Sequence, residues 1–499
     1  MIANILSFSV NLVISFFLTP YITKNVGTEA YGLVGLANSF TNYITVVTAA
    51  LNSMASRFII IELHKRNNKK ANVYFNSVLM ANTLIAIILM IPAIWLILNI
   101  EILNISKSLL FDAKITFVLV FISFVMGLIG AFFGIVLYAK NMLWKGSFRS
   151  LESNVLRVFV ILLLFSVFSG KIYFVAFSTL LSSVYCIGFN VYYTKKYIPE
   201  LKIKKTYFSF NAIKTLVMSG LWNSITRLSQ ILLDGLDLLL SNIFINGIMT
   251  GNVSIAKTIP SLYTTVVAML SDSFYPQFLE LYSKNKKKEL LKSIKQSINI
   301  LSSISGICLS MLLVYSKDFY SLWLPNNDSN LLSTLTLLSV GTVLISGCVY
   351  SLYSVFSLVN KIKINSIALL ITGILSSLTT YICLKYLDMG VYAIVGVSSF
   401  YGIIRNLFFT PVYAARCLKI NLFTFYPVLF KNLVNIFVLI LVEILLKECI
   451  IPNSWQLLIL NGLISILIGM FTTYIIILDK EQKKYILMKI FKGEKYNVK

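Results

Sequence analysis

Long apolar stretches, each about the 20 residues that a helix needs to cross a bilayer, follow one another from Ile2 to the neighbourhood of Trp455 with only short gaps between them. A soluble fold has no interior large enough to absorb that pattern. The reading it permits is an all-α membrane protein with about 14 transmembrane helices, because only closed hydrogen-bonding elements span lipid. Charged residues make up 12% of the 499-residue chain, about half the share usual in soluble domains.

The gaps orient the chain. Of 43 basic residues, 32 fall in alternate gaps and in the stretch after Asp479, and 7 fall in the intervening gaps. Lys and Arg accumulate in short cytoplasmic loops, so both termini are expected on the cytoplasmic side of the membrane, in a multi-pass protein. The same distribution accounts for the net charge of +24 without nucleic acid, whose binders gather charge on one soluble face. Membrane lipid headgroups are the expected partner of the basic loops. Four basic residues stay inside spans: Arg157, Arg227, Lys257 and Arg405.

Enzyme chemistry finds little to work with. No phosphate-binding loop, zinc-protease helix motif or dinucleotide glycine pattern occurs, and the six cysteines are scattered without metal-ligand spacing. No catalytic residue, metal site or cofactor is assigned, and the chain reads as a transporter rather than an enzyme.

An internal repeat supports that reading, since transporter folds are commonly built from one. Displacing the chain by 219 residues pairs Asn4 with Asn223, Gly32 with Gly251, Ala37 with Ala256 and Thr45 with Thr264. An even number of spans separates the copies, which implies two six-helix lobes related by a pseudo-twofold axis along the membrane normal, plus two extra C-terminal helices. The expected divisions are residues 1–205 (helices 1–6), 206–418 (helices 7–12), 419–479 (helices 13–14) and a basic cytoplasmic tail at 480–499.

Helical periodicity then locates polar faces. In the seventh span Asn223, Arg227, Gln230, Asp234, Asp237 and Ser241 lie within about 40° of one line at 100° per residue, forming a single stripe along its length. The first span carries Asn4, Asn11 and Ser15, the second Asn38, Asn42, Thr45 and Asn52, and the eighth Lys257, Ser261, Thr264 and Ser271. Small polar residues often knit membrane helices together, and Arg227 with Asp234, or Lys257 with Asp237, would make internal ion pairs. Ionisable groups at membrane depth also mark hydrated pathways, so a lined substrate or ion path stands beside that structural alternative.

Several motifs bear a resemblance. Pro20, six residues, Gly27, three residues and Tyr31-Gly32 open the second span, and Arg57 ends it. Asp234 sits in the seventh span, Asn360-Lys361 follows the tenth, and Leu387-Asp388-Met389-Gly390 runs toward Ala393. In this order the chain resembles the polysaccharide flippases of the multidrug/oligosaccharidyl-lipid/polysaccharide exporter superfamily. The second copy keeps Gly247 and Gly251 but not the tyrosine. The resemblance implies alternating-access transfer of undecaprenyl-pyrophosphate-linked oligosaccharide repeat units to the outer leaflet for surface polysaccharide synthesis, alongside a polysaccharide polymerase and glycosyltransferases. Candidate substrate contacts are Arg57, Arg227 and Lys257 for pyrophosphate, with Asn38, Asn42, Asn223, Gln230 and Arg405 lining the cavity. Asp234 and Asp237 are candidates for ion coupling. The alternatives are an ion-coupled multidrug cation antiporter of the same superfamily and a membrane polysaccharide polymerase.

Overall fold

The computed structural model describes residues 2–478 and residue 483; the tail at 480–499 otherwise lies outside the described residues, as do the side chains of residues 2–8, Asn4 among them. Among the described residues there is no strand. The helices are α1 (Ile2–Val26), α2 (Thr28–His64), α3 (Asn68–Leu98), α4 (Leu110–Gly130), α5 (Leu143–Val167) and α6 (Tyr173–Tyr197). They continue as α7 (Phe210–Gln230), α8 (Asp237–Phe244), α9 (Gly247–Ala256), α10 (Thr258–Asp272), α11 (Tyr275–Ser283) and α12 (Lys287–Trp323). The chain ends in α13 (Ser329–Leu358), α14 (Ile362–Tyr386), α15 (Gly390–Ile404), α16 (Thr410–Leu418), α17 (Tyr426–Cys449) and α18 (Trp455–Thr472).

Twelve helical segments among the described residues, from Thr28–His64 to Trp455–Ile477, are long and apolar enough to cross a membrane. The remaining two expected spans coincide with α1 and with the α7–α8 rod. In that rod the polar stripe itself lowers the hydropathy.

Sequence signals account for where helices begin and turn. Side chains of Asn67, Ser209, Asp328 and Ser454 cap α3, α7, α13 and α18 by accepting backbone N–H groups of the first turn, which would otherwise lack partners. The motif residues Gly27, Asn360, Asp388 and Gly390 all adopt positive φ, at 87°, 54°, 48° and 60°. Each is a corner between helices, where Gly or a short polar side chain tolerates the left-handed region. These four positions of the signature are therefore folding corners.

The chain divides into two compact units. Residues 1–255 and 366–394 form one; residues 256–365 and 395–499 form the other. In the first, Leu33, Leu36, Phe117, Phe121 and Ala176 bury one core, and Leu51, Ile59, Phe75, Val78 and Leu216 another. The segment entering α7 is tied to α3 by two amides. Asn72 donates to the Glu200 carbonyl and accepts from Lys202 N, at 2.8 and 2.7 Å, and Asn76 treats Lys202 O and Lys204 N alike at 2.8 and 2.9 Å. Buried amides thus satisfy an irregular backbone that has no ladder of its own. Within this unit the repeat-related Gly32 and Gly251 face each other so closely that a Cβ on Gly32 would stand 2.6 Å from Gly251 N.

In the second unit, Phe278, Ile294, Val349, Phe356, Phe425, Leu429 and Ile436 form the largest apolar cluster. Its helices α12, α17 and α18 meet with small residues at the seam: Gly306 lies against Ile436, Gly469 against Ile307 and Gly462 against Met311. Small residues allow the close backbone approach on which membrane helix packing depends.

Candidate functional site

The seam between α2 and α7 gathers most of the expected site residues. The helices run antiparallel, and Gly220 lies directly against the Ala50 carbonyl, where no larger residue fits. From that contact a series of polar rungs ascends. Asn223 Nδ2 donates to Ser53 Oγ at 3.0 Å, Ser224 Oγ to the Val46 carbonyl at 2.8 Å, and Arg227 Nε to Thr45 Oγ1 at 3.2 Å. Arg227 Nη1 also reaches Gln230 Oε1 at 3.5 Å, and Tyr43 Oη donates to the Gly235 carbonyl at 3.0 Å.

One edge of the seam is open. Asn38, Asn42, Ser53, Arg57, Arg227, Gln230 and Asp234 are exposed, and Asn223 is half-buried. Arg57 stands one turn beyond Ser53 on α2, about 18 Å along the axis from Thr45 at 1.5 Å per residue, so the two arginines mark separate levels of one face. Asn38 borders a cavity of about 170 Å³, lined also by Thr41, Ser123, Phe124 and Thr179 of α2, α4 and α6. Charged and amide groups at membrane depth need water or partners, so this edge has the character of a hydrated wall. A guanidinium carries five N–H donors, and Arg227 spends one on Thr45 and one on Gln230; the rest are available to an anion.

The alternative of an Arg227–Asp234 ion pair is not what forms: Arg227 turns to Thr45 and Gln230. The unbroken stripe expected along the seventh span does not persist either. Between α7 and α8 the backbone runs as a π-helix, Ile231–Gly235. Its wider turn inserts about one residue and rotates the α8 side of the rod by about 100°. Asp234 therefore remains exposed, while Asp237, at 3% exposure, and Ser241 turn inward. The widened turn is held by α14, whose Ser376 and Ser377 hydroxyls donate to the Leu233 and Leu232 carbonyls. Ordinary 100° periodicity contains no signal for such a break.

Lys257 and Arg405 belong to the second unit. Lys257 is half-buried at the junction of α9 and α10. Arg405 opens another π segment, Arg405–Phe409. It donates to Asn365 Oδ1 at 2.8 Å and stacks over the Tyr353 ring at 5.4 Å, and Tyr353 in turn donates to Asn406 Oδ1. Arg405 is thus bound into a side-chain network. A further ionisable residue, Glu443 of α17, is completely buried. A tally restricted to Lys and Arg passes over it; counting acidic residues inside spans finds it.

No protein-family model matches the chain. It is 26% identical over 415 residues to the protein described as "Uncharacterized membrane protein EpsK" of Bacillus subtilis (strain 168), covering 83% of this chain and 82% of the relative. Among solved structures it is similar to the lipid II flippase MurJ in an inward closed conformation, with a TM-score of 0.68, 17% identity, and coverage of 95% of this chain and 98% of that one. A multidrug resistance MATE family transporter of the MOP superfamily, facing inward, gives 0.60 at 15% identity over 83% and 99% of the two chains. A MOP superfamily transporter from Pyrococcus furiosus, whose description refers to a binding pocket of reverse polarity, gives 0.62 at 12% over 84% and 94%. At these identities the likeness is one of fold: the chain has the architecture of this group of transporters.

Proposed function

We propose that the protein is a flippase that carries undecaprenyl-pyrophosphate-linked oligosaccharide repeat units from the cytoplasmic to the outer leaflet of a bacterial cell membrane. The observation that carries this reading is Arg227, a guanidinium with unspent donors held midway along the α2–α7 seam on an open edge rich in amides and hydroxyls. Arg pairs with phosphate oxygens through parallel hydrogen bonds, and amides and hydroxyls suit sugar hydroxyls. The isoprenoid chain remains in lipid while the polar head crosses along the wall. Arg57, at the basic-loop end of the same face, is the first contact. A polysaccharide polymerase and glycosyltransferases are the partner activities such a substrate requires. Asp234 and Asp237 serve ion coupling in this reading.

A second reading rests on Asp234: an exposed carboxylate on the same edge suits a cationic drug, as for the multidrug transporters of similar fold. The two are separated by Arg227→Glu. The flippase reading expects surface polysaccharide to fall about 100-fold or more with protein level and membrane insertion unchanged, the loss of a charge-assisted phosphate contact plus repulsion. Unchanged polysaccharide, together with drug resistance that persists in the variant, would favour the antiporter.

A further inference from the structure

Outside the α2–α7 seam, α12, α17 and α18 bury a second set of polar groups, and Glu443 is at its centre. The residue lies six positions from the end of α17, about 9 Å in from its Cys449 end, and none of its surface is exposed. Ser310 Oγ stands 2.8 Å from Glu443 Oε1 and 3.0 Å from the Ile307 carbonyl. Ser465 of α18 lies beside the carboxyl. Glu443 Oε2 has no hydrogen-bond partner among the described residues.

Burial decides the form of this carboxyl. Ser310 has one hydrogen to give, and Glu443 Oε1 accepts it, so the acid is met by serine hydroxyls and by no cation. A fully buried anion compensated only in this way is far costlier than the neutral acid, which carries its own proton.

The charges around it are few and placed toward one end. From α12, Cys308, Tyr315 and Asp318 face this region; from its own helix, Lys447 follows one turn later; α18 offers Ser465 and Asn461 but no ionisable side chain. The α13 contact with α17 lies at the other end, around Leu429 and Ile436. Lys447 pairs with Asp318 at 2.5 Å and accordingly leaves Glu443 unneutralised. That pair is partly exposed, and the Tyr315 ring borders both places: its hydroxyl donates to the Glu443 backbone carbonyl at 3.3 Å, and Lys447 Nζ lies 5.9 Å over its ring.

We propose that Glu443 is a proton-binding site of the second unit, occupied at rest and exchanging its proton with the aqueous phase at the Lys447–Asp318 end by way of Tyr315. Only a proton moves: leaving, it passes to water and the carboxylate keeps the electron pair; returning, it re-forms the O–H bond. The site offers too few oxygens to enclose a metal ion.

Infrared difference spectroscopy on the full chain in proteoliposomes, across a pH series and after pH jumps, tests the proposal without any transported substrate, so its result is independent of the flippase reading. The expected result is a protonated-carboxyl band that diminishes as pH rises and is missing from Glu443→Gln, which keeps the shape of the neutral acid. Ser310→Ala shifts the band, and Tyr315→Phe slows its response to a pH jump about tenfold or more. A wild-type band that survives in Glu443→Gln overturns the site. A band removed by that substitution yet unmoved by pH overturns the exchange, and displacement by Na⁺ at fixed pH overturns the proton as ligand.

Discussion

The α2–α7 seam of the first unit and the α12–α17–α18 seam of the second are made from the same materials and come out opposite. Both carry Asn, Ser and one or more ionisable groups at helical spacing. In the first, Gly220 closes one side and the polar rungs spill onto an open edge occupied by arginine. In the second, glycines on more than one helix draw the partners together, and Asn432, Asn435 and Glu443 end with no exposed surface at all. The difference teaches that a polar stripe in a membrane helix becomes a wall or a core according to how many neighbours its small residues admit. A cation suits the wall, since water shares its field; an acid that can carry its own proton suits the core.

The sharpest way to break the comparison is to remove the close approach that holds the open seam. Gly220→Leu places a side chain against the Ala50 carbonyl and should cost about 3 kcal/mol or more, the upper range for overpacking. The expected outcome is lost thermal stability and poor yield, read by fluorescence-detected size exclusion, whereas Gly127→Ala, with open space around it, leaves both unchanged. A smaller effect tests whether the π-helix keeps Asp234 out and Asp237 in. Ser377→Ala removes one hydroxyl from a freed carbonyl, worth about 1 kcal/mol, and cysteine accessibility at position 237 should rise in that background. The smallest is expected at the rim of the buried seam: Asp318→Asn weakens a partly exposed pair by about 0.5 kcal/mol, a change of a degree or so in melting temperature that vanishes when Lys447→Met is already present. A large drop would mean that the rim pair supports the buried acid directly.

Much of this was legible beforehand, for identifiable reasons. The lysine-rich gaps and apolar runs translate directly into helices such as α2, α6 and α12, because lipid leaves the backbone no other option. The repeat-related Gly32 and Gly251 also declared themselves, and they meet. The motif residues Gly27, Asn360, Asp388 and Gly390 were recognisable as a pattern, yet their role as positive-φ corners is a property of backbone angles that residue type only permits. The seventh-span stripe was legible as far as Asp234. Beyond it, hydroxyls of α14, remote in sequence, decide which way Asp237 points. Glu443 is a different kind of omission: a rule about where positive charge resides says nothing of a single acid, whose neighbours Ser310 and Ser465 come from two other helices.

The first unit is discontinuous in the chain, resuming with residues 366–394 after the interruption of 256–365. During synthesis this sets an order of assembly. The carbonyls of the π-helix emerge from the ribosome well before Ser376 and Ser377 exist to receive them, and in lipid an unclaimed carbonyl is costly. Until those serines are made, the α7–α8 rod has every reason to run as an ordinary α-helix. The register shift that separates Asp234 from Asp237 is then a late event, completed only when the second unit is already under construction.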